Sequence, residues 1–175
     1  MDNLSFDNRE GFIWCNGNLI EWKMANVHVL NHGLHYASCV FEGERAYRGK
    51  IFETEKHTKR LFNSAKSLDM EIPFSQEEII EAKDILLEKN ALSDAYVRPV
   101  VWRGSEMMAV SAQATKINVA IAVWEWPSYF DPEQKMQGIK LDIAKWRRPS
   151  PDCGPVLAKA AGLYMICTLS KHEAE

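Results

Sequence analysis

Two β-rich runs, "FIWC" and "NLIEW", flank Asn16-Gly17 near the start of the chain. That arrangement predicts a hairpin, because Asn-Gly accepts the left-handed backbone a two-residue turn demands. The segment "ERAYRGKIFET" predicts a second hairpin turning near Arg48-Gly49. The hydrophobic period then lengthens. Leu61, Ala65 and Leu68 recur at i, i+4 and i+7, which predicts a helix with Thr54 as its cap. A second helix start lies in "FSQEEII", where Ser75 and Glu78 have capping-box spacing and Phe74 and Ile79 the spacing of a hydrophobic staple. Asn90 is its expected end.

Strand-like segments follow: "AYVRPVVWRG", "KINVAIAVWEW" and "GIKLDIAKWRR". Before the last of these, "PSYFDPEQKMQG" at 127–138 has the prolines and glycine of a linker or long loop. Hairpins, helices and then long strands predict an α+β domain over residues 1–130. An interdomain loop over 131–138 would lead into the start of a second domain at 139–175. One strand and one helix cannot enclose a core, so that start is incomplete by itself.

Composition narrows the class without naming the chemistry. The chain has 175 residues, 46% hydrophobic and 26% charged, enough apolar material for a soluble globular core. A net charge of −3 and the absence of a long basic run argue against nucleic-acid partners. The apolar runs are too short to span a bilayer, and "MDNLSFDNREGF" is the opposite of a signal peptide. A cytoplasmic protein is the expectation. Cys15, Cys39, Cys153 and Cys167 are too scattered for a zinc or redox pair and read as inert thiols.

Several residues invite chemistry. In "PVLAKAAGLY" a single lysine, Lys159, stands among small and apolar neighbours. Desolvation there would make the amine nucleophilic near neutrality, as imine chemistry needs. "AKAAG" is equally good helix-start sequence with a solvated lysine. Arg60 borders the apolar stripe of the first helix, from which it can fork onto a phosphate or carboxylate or snorkel to water. His28, His32 and His35 have the spacing of a helical metal site, but "VHVL" reads as strand and Gly33 interrupts a helix. Tyr36, Phe41, Gly43 and Arg45 suit a pocket lining and a core equally. Tyr96 and Arg98 share one face of a strand, and a buried Arg98 needs a carboxylate from the protein or from a substrate.

Taken in order, "WCNG", "HGLHYASCVFEGERAY", "HTKRL", "AYVRPVVWRG" and "PVLAKAAGLY" resemble the branched-chain amino-acid aminotransferases, of the fold-type IV pyridoxal-phosphate (PLP) group. The likeness runs from about Phe12 to the last residue. It implies the small amino-terminal domain of that fold plus the first part of the larger cofactor domain. By resemblance, Lys159 holds PLP covalently and carries the proton between the substrate Cα and the cofactor. Arg60 grips the phosphate, and Tyr164 sits near cofactor and substrate. Tyr36, Phe41, Gly43, Arg45, Tyr96, Arg98, Trp126 and Tyr129 match positions around the substrate, where rings receive leucine, isoleucine and valine side chains. Arg98, with Tyr36 and Tyr129, suits the distal carboxylate of glutamate.

The implied reaction exchanges amino groups between branched-chain L-amino acids and 2-oxoglutarate, in a homo-oligomer. D-amino-acid aminotransferases and aminodeoxychorismate lyases share the fold and lysine, but "YVRP" favours the branched-chain branch. Members of the family are much longer. Their glutamate for the pyridine nitrogen, further phosphate-binding turns and donors for the substrate α-carboxylate would lie beyond Glu175. A non-catalytic folded domain is therefore the alternative for the 175-residue chain alone.

Overall fold

The computed structural model describes residues 5–126 and 132–175. β1 (Phe12–Cys15) and β2 (Asn18–Glu21) form the first hairpin, with φ of 49° at Asn16 and 90° at Gly17. These are the two left-handed residues a tight hairpin turn requires. Arg48 and Gly49, at φ 51° and 75°, join β4 (Glu44–Tyr47) to β5 (Lys50–Ile51) in the same way. Between the hairpins lie α1 (His32–Tyr36) and β3 (Cys39–Phe41). Helices α2 (Thr54–Ser67) and α3 (Gln76–Lys89) precede two long strands, β6 (Ala95–Arg103) and β7 (Ile117–Trp124).

The strands make one antiparallel sheet in the order β2-β1-β7-β6-β4-β5, with β3 also paired to β6. β3 lies against Val100–Trp102 and β4 against Ala95–Val97, so Glu42-Gly43 interrupts the edge opposite Arg98-Pro99. The Glu42 N–H donates to the Pro99 carbonyl at 2.9 Å. A strand residue points its N–H and C=O the same way, so the donor that Pro99 lacks would have faced this interruption. That is how a proline fits inside a central strand.

Alternation along β6 divides the sheet. Ala95, Val97, Pro99, Val101 and Arg103 are buried, whereas Tyr96, Arg98, Val100 and Trp102 are half-buried on the other face. The buried face joins Leu61 and Ala65 of α2 and Ile79, Leu86 and Leu87 of α3 in the main core. The predicted stripe and capping box both form: Ser75 accepts from the Glu78 N–H, and Glu78 accepts from the Ser75 N–H. Phe74 and Ile79 both pack into that core, and α3 ends at Asn90. Ile13, Trp22 and Trp124 form a smaller cluster that Tyr96 packs against.

Three local expectations fail. Thr54 is not a cap but the first helical residue, after Glu53 at φ 53°. Its hydroxyl instead accepts from Lys83 Nζ at 3.2 Å. The segment "GIKLDIAKWRR" forms no strand, because no described segment pairs with it and a strand is held by its neighbours' N–H and C=O groups. Ile139, Leu141 and Ile143 there are exposed. Within 127–138, α4 (Pro132–Gln137) is helical rather than loop. A 3-10 turn (Ala161–Tyr164) then leads into α5 (Met165–Ala174), which buries none of its residues. The α+β class stands. No helix among the described residues is long and apolar enough to cross a membrane.

Candidate active site

Lys159 is pinned to the sheet by its backbone. Ala160 bridges to Val40, the Phe41 N–H donates to the Lys159 carbonyl at 3.1 Å, and the Lys159 N–H donates to Ser64 Oγ at 3.0 Å. Ala158 and Ala160 are buried in the main core on either side. Alternation therefore turns the lysine side chain out of the core and over the site face. Its Nζ donates to Tyr164 Oη at 2.7 Å and lies 4.9 Å from the ring centres of both Phe41 and Tyr164. Lys159 is thus half-buried and immobilised, unlike a solvated helix-start lysine.

A second cation meets the same ring. Arg98 lies 4.8 Å from the Phe41 ring centre and 5.1 Å from that of Tyr96. The two charges therefore stand less than about 10 Å apart across one aromatic wall. Arg98 makes no ion pair among the described residues. Its Nη2 donates to Tyr96 Oη at 3.0 Å, and its buried Nε has no hydrogen-bond partner among those residues. Gly43 makes this packing possible, since a Cβ there would fall 2.0 Å from Tyr96 Oη. Arg45 Nη1 donates to the Trp126 carbonyl at 3.2 Å, and the Trp126 ring centre lies 5.4 Å from that of Tyr96.

Arg60 does fork onto a carboxylate, and the carboxylate is the protein's own. Its Nε and Nη2 donate to Glu42 at 2.5 and 2.7 Å, and His57 Nδ1 is 2.9 Å from the same group. Arg60 Nη1 has no hydrogen-bond partner among the described residues. Burial alone would raise the Glu42 carboxyl, but the bonds from Arg60 and His57 bring it below the usual glutamate value. The Glu42 bond in turn raises Arg60, with a smaller contribution from Tyr164. Glu44 enters the same side of the sheet and meets Lys83 at 2.7 Å, both side chains wholly enclosed. Lys83 also donates to Thr58 Oγ1 at 2.6 Å.

Glu42, His57, Glu44 and Lys83 are the charged neighbours of the candidate site that sequence reasoning missed. The available signal was alternation: Val40, Glu42, Glu44 and Ala46 fall on one face and Phe41, Gly43 and Arg45 on the other. Carboxylates at inward positions demand cations from the covering helices.

Not every predicted residue joins the cluster. Tyr36 stacks on buried His32, ring centres 4.6 Å apart, and makes none of the contacts above. Tyr129 lies outside the described residues. His32 Nε2 and His35 Nε2 bond to different carbonyls, those of Ala109 and Val29. Cys39 lies close enough to Arg98 to feel its charge, yet burial pushes its thiol up to about 11.

An immobilised lysine bonded to a phenol, an arginine with one edge unused and a second arginine against aromatic rings suit amine chemistry on an anionic substrate. The chain belongs to the class IV aminotransferases: residues 39–175 match the family Amino-transferase class IV. Within it, the chain is 43% identical over 164 residues to a probable branched-chain-amino-acid aminotransferase of Rickettsia typhi, covering 94% of this chain and 56% of that one. The T.th. branched-chain amino acid aminotransferase with pyridoxamine 5'-phosphate superposes with a TM-score of 0.89 at 38% identity, over 94% of this chain and 56% of that chain. The same enzyme complexed with N-(5'-phosphopyridoxyl)-L-glutamate gives 0.84 at 36% identity, over 94% and 54%. The chain thus spans about half the length of the curated relatives it matches.

Proposed function

We propose that this chain supplies the lysine, the phosphate arginine and the distal-carboxylate arginine of a pyridoxal-phosphate enzyme. That enzyme would transaminate leucine, isoleucine and valine against 2-oxoglutarate. The observation that carries the proposal is the Phe41 ring shared by Lys159 Nζ and Arg98. It sets a primary amine and a cation without an ion pair among the described residues on one apolar wall, as a substrate with an α-amino group and a distal carboxylate requires.

The residues present suit the cofactor: a fixed amine for its aldehyde carbon, rings for its flat face and Arg60 Nη1 for its phosphate. Bound there, pyridoxal phosphate supplies the electron sink that makes a substrate Cα–H acidic. Lys159 Nζ is the atom assigned to move that proton, and Tyr164 Oη holds the amine in place between transfers. Phe41, Tyr96 and Trp126, with Tyr36 and Tyr129 by resemblance, wall a pocket for branched side chains. Gly43 admits the Tyr96 hydroxyl, and Arg45 ties down the Trp126 backbone. Arg98, which makes no ion pair among the described residues, holds the distal carboxylate of glutamate. The relative crystallised with a phosphopyridoxyl-glutamate adduct supports this pairing of cofactor and substrate.

Residues 139–175 are proposed to begin a second domain, which the exposure of Leu141, Ile143, Leu157 and Met165 supports. The 175-residue chain by itself is accordingly proposed to bind without efficient turnover. Self-association is also proposed, supported by exposed Val27, Val29, Leu30 and Leu34 in one stretch.

The test is intact mass after incubation with pyridoxal phosphate and borohydride reduction. A single adduct, absent from Lys159→Ala, is the expected result. Wild-type chain without a selective adduct would identify a folded, non-catalytic domain instead.

A further inference from the structure

Glu42 touches neither the lysine nor the substrate face, yet its carboxylate is wholly enclosed beside the site. Its side chain has 0% exposure, against 52% for that of Arg60. Its backbone is fixed from two directions, by its own N–H on the Pro99 carbonyl and by the neighbouring Phe41 N–H on the Lys159 carbonyl. The same short segment therefore registers the lysine and places the carboxylate. His57, one helical turn before Arg60, holds the second oxygen at 2.9 Å, and the Gly43 N–H donates to that oxygen at 3.3 Å.

An arginine half in water on a helix surface ordinarily samples many rotamers. Here the Nε/Nη2 edge is taken by a rigid, two-point carboxylate, which leaves the direction of Nη1 determined from inside the protein. We propose that Glu42, braced by His57, is a positioning residue that aims Arg60 at the phosphate of the cofactor. The inference rests on the assignment of Arg60 to that phosphate. Glu44 provides the internal contrast: it lies on the same face, but its partner Lys83 is wholly enclosed.

Pyridoxal, which lacks the phosphate, separates positioning from a purely structural ion pair. Wild-type chain, Glu42→Gln, Arg60→Met and the double variant are titrated with pyridoxal phosphate and with pyridoxal, each trapped by borohydride and quantified at Lys159. Wild type should prefer pyridoxal phosphate, and Glu42→Gln should lose roughly tenfold of that preference. In the Arg60→Met background, Glu42→Gln should change the preference no further. Should Glu42→Gln fail to fold, Glu42→Asp keeps the charge but draws the carboxylate back by one methylene, and a smaller loss of preference is expected. Equal weakening toward both ligands, or an undiminished effect without Arg60, would overturn the positioning role. A Lys159 adduct with no wild-type preference would overturn the phosphate role of Arg60 and this inference with it. No Lys159 adduct at all would overturn the functional assignment itself.

Discussion

Glu42 and Glu44 stand two residues apart, enter the same side of the sheet and are equally enclosed, yet their carboxyls shift in opposite directions. Burial outweighs Lys83 at Glu44 and raises it, while the lysine amine, also dominated by burial, is lowered. At Glu42 burial is again the largest single influence, but Arg60 and His57 together outweigh it. The difference lies in the partners. One enclosed ammonium must itself be desolvated, whereas a half-exposed guanidinium keeps its hydration and still delivers two bonds, with a histidine adding a third. One pair serves the core, and the other connects the core to the site.

The largest expected effect comes from breaking the enclosed pair. Lys83→Met leaves Glu44 buried without a cation and should destabilise the fold by about 3–5 kcal/mol. Lys83→Met combined with Glu44→Leu should recover most of that loss, since an enclosed ion pair is often no better than apolar groups of similar volume. Denaturant unfolding of both variants measures this directly. A double variant as unstable as the single one would show that the pair contributes more than charge compensation.

A smaller effect belongs to Arg60→Met. His57 still donates to Glu42, and about half of the lost side chain was already in water. The expected destabilisation is about 1–2 kcal/mol, less than for Lys83→Met in the same unfolding experiment. A loss matching that of Lys83→Met would erase the distinction between the two pairs.

How far this contrast could be read from sequence depends on distance along the chain. The hairpins at Asn16-Gly17 and Arg48-Gly49 and the Ser75–Glu78 box are legible because turn and cap chemistry is settled within four residues. Lys159, Arg60 and Arg98 are legible as candidates, and the motif resemblance orders them. What local pattern cannot supply is the partner. Arg60 meets Glu42 across 18 residues, and the Thr54 hydroxyl expected to cap a helix serves Lys83 across 29. The strand pattern of "GIKLDIAKWRR" fails for a related reason, since alternation describes a surface and only a neighbouring strand makes it a sheet.

The smallest effect is a matter of sign, and it separates the two carboxylates without removing either partner. Glu42 has a folded value below its ordinary 4.5, so the unfolded chain takes up this proton first as the solution is acidified. Its stabilisation is therefore complete above that pH and is lost as pH falls through the lower folded value. Glu44, raised above 4.5, takes up its proton earlier in the folded chain, so acidification toward 4.5 favours folding through that group. Unfolding midpoints from about pH 6 to about pH 3 should show an acid loss that Glu42→Gln flattens and that Lys83→Met/Glu44→Leu leaves in place. An unchanged acid loss in Glu42→Gln would mean that the carboxylate held by Arg60 and His57 is not the group that titrates there.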